Sequence, residues 1–314
     1  MNRSYLLLFS AVFNTIFSGC TQRIIQQHNY LKEEAEEVFE SVQKPYYKEG
    51  DFYFRFIDNG ASIEIVKYIG TEKDIQIPSH VQNLPVTVIG EEAFKNGEYI
   101  DYMFVAKNQI TSIILPNNLI RIEHESFAYN LLTDITIPDG VTYIGDGAFF
   151  VNQISNIVIP NTVTYIGNSA FHFNELTKIT IPVSVTHIGE WAFANNKLVN
   201  ITIPNGVTHI NNWTFSANQL INANIPNSVI HIGDHAFIHN QLADITIPNN
   251  VTHIGRFAFA DNLLINVTIP DNLTYIALCA FQGNKLHNVI VPGAASIEER
   301  AFDENVSIIR NSPP

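Results

Sequence analysis

A single interval dominates this chain. Pro116, Pro138, Pro160, Pro182, Pro204, Pro226, Pro248, Pro270 and Pro292 are each 22 residues apart. Phe127, Phe149, Phe171, Phe193, Phe215, Phe237, Phe259 and Phe281 keep the interval of 22, as do Asn130, Asn152, Asn174, Asn196, Asn218, Asn240, Asn262 and Asn284. A short period held this long dictates a solenoid in which each repeat is one coil. The unit reads L-x-x-I-T-I-P-x-x-V-T-x-I-G-x-x-A-F-x-x-N-x. One coil cannot stand alone, because its few inward side chains do not offset the entropy of ordering it; stacked neighbours must add backbone bonds and apolar contact.

Each part of the unit carries an expectation. The Ile-Thr-Ile run alternates inward and outward, which predicts a strand parallel to its copies. Proline cannot donate to the ladder and ends that strand. Val-Thr-x-Ile-Gly predicts a second extended segment on the opposite wall, its glycine supplying a left-handed turn. Asn211 is a tolerable substitute there, whereas Glu123 and Ala277 predict local distortion. The Ala-Phe segment is too short for an α-helix and suits a single helical turn. The phenylalanines predict a stacked spine, and each asparagine a buried amide bonded to the backbone of its own and the next coil.

The N-terminus follows other rules. Met1-Asn2-Arg3 precedes an apolar run from Tyr5 to Phe17 that is too short and too interrupted to span a membrane. It ends in Phe17-Ser18-Gly19-Cys20, which resembles the lipobox of bacterial lipoproteins, with Phe17 where leucine is usual. That resemblance implies a signal peptide over 1–19 and a lipid on Cys20, a membrane tether rather than a span; plain secretion and an uncleaved anchor are the alternatives. With Cys20 modified, Cys279 is a lone thiol and no intrachain disulfide is expected. Residues 20–50 form the tether, with apolar residues at helical spacing over 21–44 until Pro45; a partner-binding amphipathic helix is the other reading. Asp58-Asn59-Gly60, between Phe52–Ile57 and Ser62–Tyr68, signals a β-hairpin, so 51–94 is read as an N-terminal β cap with a first irregular coil. An insertion at 95–107 precedes the solenoid proper at 108–310 and a tail at 311–314.

Residues 51–310 resemble the BspA-like leucine-rich repeat family of bacterial surface proteins. The likeness rests on the aromatic hairpin, Tyr68-x-Gly70, Ile77-Pro78, Leu84-Pro85-Val86-Thr87-x-Ile89-Gly90-x-x-Ala93-Phe94, and the repeats that follow. This chain has Asn where many family repeats have Cys, and more Ile than Leu. The resemblance implies a mainly β leucine-rich-repeat solenoid, used for adhesion or protein recognition on cell surfaces and without catalysis.

The net charge of -13, with only 17 Lys+Arg, argues against nucleic acid or an anionic membrane surface as partner. No phosphate-cradling glycine loop, His-Glu-x-x-His pair or Gly-x-Ser-x-Gly turn is present, and no cofactor is implied. The Asn-x-Thr triplets at Asn200, Asn212, Asn266 and Asn272 are by-products of the repeat. Candidate ligand contacts are the outward pairs of the Ile-x-Ile run: Asp134/Thr136, Asn156/Val158, Lys178/Thr180, Asn200/Thr202, Asn222/Asn224, Asp244/Thr246 and Asn266/Thr268. Such a polar strip suits a protein strand or a glycan, and equally a plain solvated face. A second column, Tyr143, Tyr165, His187, His209, His231, His253 and Tyr275, reads as aromatic stacking; its four imidazoles also raise metal capture. Tyr99, Tyr102, Met103 and Phe104 in the insertion are either packed on the cap or an exposed anchor cluster. These features together read as a non-enzymatic envelope protein that binds a protein or glycan. A passive spacer and metal capture by the histidine column are the alternatives.

Overall fold

The computed structural model describes residues 46–100, 103–105 and 109–311. The leader, Cys20, the stretch 21–44 expected to be a tether helix, Tyr102 and the tail residues 312–314 lie outside the described residues.

Each coil contributes backbone to two walls. On one, Asp134–Thr136, Asn156–Val158, Asn200–Thr202, Asn222–Asn224, Asp244–Thr246 and Asn266–Thr268 are short strands with outward ends and an inward centre. They are parallel, as expected, but pair only in twos: Ile135 with Ile157, Ile201 with Ala223, Ile245 with Val267. Lys178–Thr180, in the coil between, adopts no strand. The Val-Thr-x-Ile wall is the more continuous. Its first sheet starts at Tyr47–Glu49 and the hairpin Phe52–Ile57/Ser62–Tyr68. It continues through Leu84–Ile89, Arg121–Ile122, Tyr143–Ile144 and Tyr165–Ile166 to His187–Ile188. A second sheet runs from His209–Ile210 through His231–Ile232, His253–Ile254 and Tyr275–Ile276 to Ser296–Ile297. The hairpin strands are antiparallel to each other, and Ser62–Tyr68 joins Leu84–Ile89 in parallel at the sheet's N-terminal edge, with Phe54, Ile63 and Ile65 fully buried.

Three sequence expectations need correction. The glycine column does not supply a left-handed turn: none of Gly145, Gly167, Gly189, Gly233 and Gly255 has positive φ. Glycine sits there because the coils approach closely; a Cβ on Gly189 would meet the Asn168 nitrogen at 2.4 Å. The left-handed residue is two positions later, at Gly147, Ser169, Trp191, Trp213, His235, Phe257 and Cys279, and again just before each ladder asparagine. The Ala-Phe segment is accordingly no helix but a run of turns. Alternate amides there reach the next coil: Gly147 N–H to Asn168 O, Phe149 N–H to Ala170 O and Val151 N–H to His172 O, at 2.7, 2.8 and 3.0 Å. Finally, the strand ladder passes undistorted through the coils of Glu123 and Ala277 and stops instead at the coil of Asn211.

The core follows the columns. Successive rings from Phe94 to Phe302 stack at centroid spacings of 5.1 to 5.8 Å. Beside them each buried asparagine bonds its own and the preceding coil, not the following one. Asn196 Oδ1 accepts from Leu176 N–H at 3.0 Å, and its Nδ2 donates to Phe171 O at 2.9 Å and Phe193 O at 3.2 Å. The pattern recurs at every ladder asparagine from Asn152 to Asn284, so each buried amide is satisfied and each coil is tied to the one before it.

Candidate interaction surface

The outward pairs sit where the alternation places them. Lys178, Thr180, Asn200, Thr202, Asn222, Asn224, Asp244 and Thr246 are all exposed, as are Asp134, Thr136, Asn156, Val158, Asn266 and Thr268. Neighbouring side chains hold one another: Asn222 Nδ2 donates to Asn200 Oδ1 at 3.0 Å and Asn266 Nδ2 to Asp244 Oδ1 at 2.9 Å. Between the end coils, where Ile114 and Ile290 stand exposed in the threonine file, three residues break the polar pattern on adjacent coils. Val158 stands in the threonine file and is 70% exposed; Val183 stands in the Asn/Asp file after the proline and is 84% exposed. Lys178 is the one cation in its file, where other coils carry Asp, Asn or Ser. Val183 also lines a shallow depression of about 430 Å³ with Thr202, Ile203, Pro204, Asn224 and Pro226.

The histidine column stacks in part. His187 lies on Tyr165 with centroids 4.4 Å apart and planes 7° apart, and His253 bridges His231 and Tyr275 at 4.6 Å each. His209 is tilted from His231 at 6.0 Å. Burial holds His187, His231 and His253 below the usual imidazole range, and for His231 the neighbouring imidazoles add to that. Among the described residues, the group of three potential ligands whose donor atoms lie within 4.8 Å of one another is Glu92, His124 and Glu125, not these histidines. There Lys95 already supplies the cation, ion-paired with Glu125 and 2.7 Å from Glu92 Oε1.

Two further columns were missed by sequence reasoning. At the left-handed position, Trp191 stacks on Trp213 at 4.4 Å, Trp213 on His235 at 3.7 Å and His235 on Phe257 at 5.0 Å, a half-buried aromatic file. The 22-residue spacing of both tryptophans, followed by His and Phe at the same interval, is the signal that finds it. One position earlier, side chains bond coil to coil: Asp146 Oδ1 accepts from Asn168 N–H, Asn168 Oδ1 from Glu190 N–H and Asn212 Oδ1 from Asp234 N–H, each at 2.8 Å. His172 is buried between Phe150, Phe173 and Trp191, with Asn195 Nδ2 donating to its Nε2 at 3.1 Å. Burial pulls its pKa down to about 4. Cys279 is buried, which pushes its thiol upward and away from nucleophilic use.

The insertion forms a hairpin of its own, Glu98–Ile100 against Met103–Val105, which places Tyr99 opposite Phe104. Among the described residues no helix is long and apolar enough to cross a membrane.

Comparison with known proteins agrees with this architecture. No curated protein matches the chain. Among solved structures, the pneumococcal vaccine antigen PcpA is 18% identical, with a TM-score of 0.51 over 85% of this chain and 88% of its own. A leucine-rich cell surface protein of Faecalibacterium prausnitzii A2-165 is 23% identical over 84% of this chain and 87% of its own, with a TM-score of 0.43. The likeness to PcpA concerns fold alone. The profile of the BspA type leucine rich repeat region matches residues 98–222 and 208–311, in 6 copies. The chain belongs to the BspA-type leucine-rich repeat family.

Proposed function

We propose that this is a non-catalytic protein of the bacterial cell envelope, tethered through a lipid on Cys20, that binds another protein through its Ile-x-Ile wall. One observation carries the choice of wall and partner: exposed Val158, Lys178 and Val183, on adjacent coils, interrupt files that are otherwise polar between the end coils of Ile114 and Ile290. Solvent-exposed valines beside a cation suit a protein surface better than a glycan, because apolar contact and a single charge together set register at interfaces. The row from Lys178 and Thr180 through Asn200, Thr202, Asn222 and Asn224 to Asp244 and Thr246 then supplies the polar rim. The insertion hairpin, carrying Tyr99 and Phe104, lies outside this wall's strand pairs and is assigned no contact.

The test restores the pattern. Val158→Thr, Lys178→Asn and Val183→Asn give each position a residue its own file already uses, so the fold is untouched. Purified host-matrix and cell-surface proteins are assayed against the full chain by surface plasmon resonance. The triple variant is expected to lose at least about tenfold in affinity for whichever of them binds, equivalent to about 1.4 kcal/mol. A control that alters the opposite wall, Thr164→Lys with Thr252→Lys, is expected to bind normally. Unchanged binding by the triple variant would place recognition elsewhere.

A further inference from the structure

On the Val-Thr-x-Ile wall the sheet ending at His187–Ile188 is not joined to the sheet beginning at His209–Ile210. In other coils the residue of the glycine column donates its backbone N–H to the preceding isoleucine carbonyl. Gly145 reaches Ile122 O at 2.8 Å, Gly189 Ile166 O at 2.9 Å, Gly233 Ile210 O at 2.8 Å and Ala277 Ile254 O at 3.0 Å. At the gap the equivalent carbonyl, Ile188 O, is taken by the side-chain amide of Asn211 at 2.7 Å. Side-chain bulk is not the cause, since Glu123 and Ala277 both carry a Cβ in this column and the ladder passes through them. What sets Asn211 apart is an N–H donor. Gly and Ala have none, and the carboxylates of Glu123 and Glu298 only accept, so only Asn211 can compete with the backbone for the carbonyl.

The effects extend around the coil. The step from Phe193 to Phe215, 5.8 Å, is the widest between successive phenylalanine rings of the spine. On the other wall Lys178–Thr180, one coil before the gap, forms no strand. The asparagine ladder still crosses, with Asn218 Nδ2 donating to Phe193 O at 2.9 Å. So does the aromatic file: Trp191 and Trp213 belong to the two coils that flank the gap and lie 4.4 Å apart with planes 7° apart.

We infer that the boundary between Ile188 and His209 is a soft joint built by Asn211, across which the Trp191–Trp213 stack and the asparagine ladder replace strand pairing. A solenoid's cooperativity is carried by its coil-to-coil interfaces, so weakening one of them divides the array into halves that open separately. The joint borders the coil of Lys178 and Val183, one beyond that of Val158, yet the inference stands without the binding proposal.

The test is residue-resolved amide hydrogen exchange on the full chain, comparing Thr208 and Asn211 with Thr186 and Gly189 one coil earlier. The latter pair are bonded to Thr164 O and Ile166 O at 3.0 and 2.9 Å. A backbone bond shifts an opening equilibrium by about two- to tenfold, so two bonds predict protection roughly fourfold to a hundredfold weaker at Thr208 and Asn211. Asn211→Ala, which copies Ala277, is expected to raise it to the level of Thr186. Asn211→Asp, an acceptor without an N–H when ionised, serves if the alanine variant folds poorly. Because the chain's only 2 tryptophans flank the joint, urea unfolding followed by their fluorescence should also shift to higher midpoint in the repaired variant. Equal protection of Thr208 and Thr186 in the unaltered protein, or protection at Thr208 that neither substitution changes, overturns the inference.

Discussion

Replacing Asn196 by Ala is the sharpest probe of how the coils are held together. Asn196 is 7% exposed. It is the acceptor for Leu176 N–H at 3.0 Å and donates to Phe171 O at 2.9 Å, Phe193 O at 3.2 Å and Ala194 O at 3.2 Å. Ala194 O keeps a second donor, Phe173 N–H. Phe171 O likewise keeps Asn174 Nδ2 at 3.2 Å, and Phe193 O keeps Asn218 Nδ2 at 2.9 Å. The substitution therefore takes one of two donors from each carbonyl, at about 0.5 kcal/mol apiece, and orphans the Leu176 N–H, at about 1–3 kcal/mol. Asn196 lines a shallow surface depression, so water can reach part of the vacancy, and the lower half of that range applies. The expected loss is about 2–4 kcal/mol, a sizeable share of the roughly 5–15 kcal/mol that stabilises a typical domain. Asn196→Asp separates hydrogen bonding from shape. Its Oδ1 still receives Leu176 N–H, but the second oxygen now faces Phe171 O and Phe193 O and is repelled unless protonated. Its folded pKa is thus raised above the ordinary value of about 3.9. A raised carboxyl contributes stability that is complete below the unfolded value and is lost as pH climbs through the folded one. Urea unfolding at pH 4.5 and 7.5, read by circular dichroism, should place the Asp variant closer to the unaltered protein at the lower pH. An Ala variant within about 1 kcal/mol of the unaltered protein, or an Asp variant with a pH-independent gap, would refute the reasoning.

Three other outcomes follow from the same geometry. His172, held at about 4 by burial, stays neutral in the fold while an unfolded imidazole protonates near 6.5, so its stability contribution is full above 6.5 and declines as pH falls toward 4. Lowering pH from 7.5 to 4.5 should cost the protein roughly 2–3 kcal/mol through this residue, and His172→Phe should remove that part of the slope in urea unfolding. Burial likewise depresses His187, His231 and His253, so replacing His187, His209, His231 and His253 together by Tyr should flatten the decline in melting temperature between pH 7 and 5. For the proposed anchor, Cys20→Ala should abolish incorporation of radiolabelled palmitate and release the chain from the membrane fraction in its native host.

The architecture was legible because its determinants face inward and recur without exception: the Phe, Asn and Pro files each keep one residue type from coil to coil. What went unread lies where residue identity varies. The left-handed position holds Gly147, Ser169, Trp191, Trp213, His235, Phe257 and Cys279, so no consensus marks it, although backbone geometry there is common to all. The glycine column was legible in position but misread in cause, since a residue without a Cβ serves close approach as well as positive φ. Asn211 was misjudged for a related reason. Its fitness for a turn was weighed, whereas its amide's reach to a carbonyl of the coil before decides the outcome. The outward files of the Ile-x-Ile wall were placed correctly, because strand alternation needs only the period of two.

Uniformity along that wall also limits what it can recognise. A ligand gripping Thr202 and Asn200 meets nearly the same pair at Thr246 and Asp244, so a perfectly regular row offers many equivalent registers and selects none. Register must come from departures, and exposed ones are informative because no packing demand explains them. Val158, Lys178 and Val183 are such departures, and they fall on neighbouring coils just ahead of the interrupted ladder. A partner seated across them and on to Thr202 and Asn224 would bridge the joint and favour whichever arrangement of the two halves it fits. Any such preference would be reciprocal: closing the joint by Asn211→Ala would change affinity by the same factor as binding changes the joint. The repeat thus builds a scaffold by sameness, and leaves recognition and compliance to the few residues that differ.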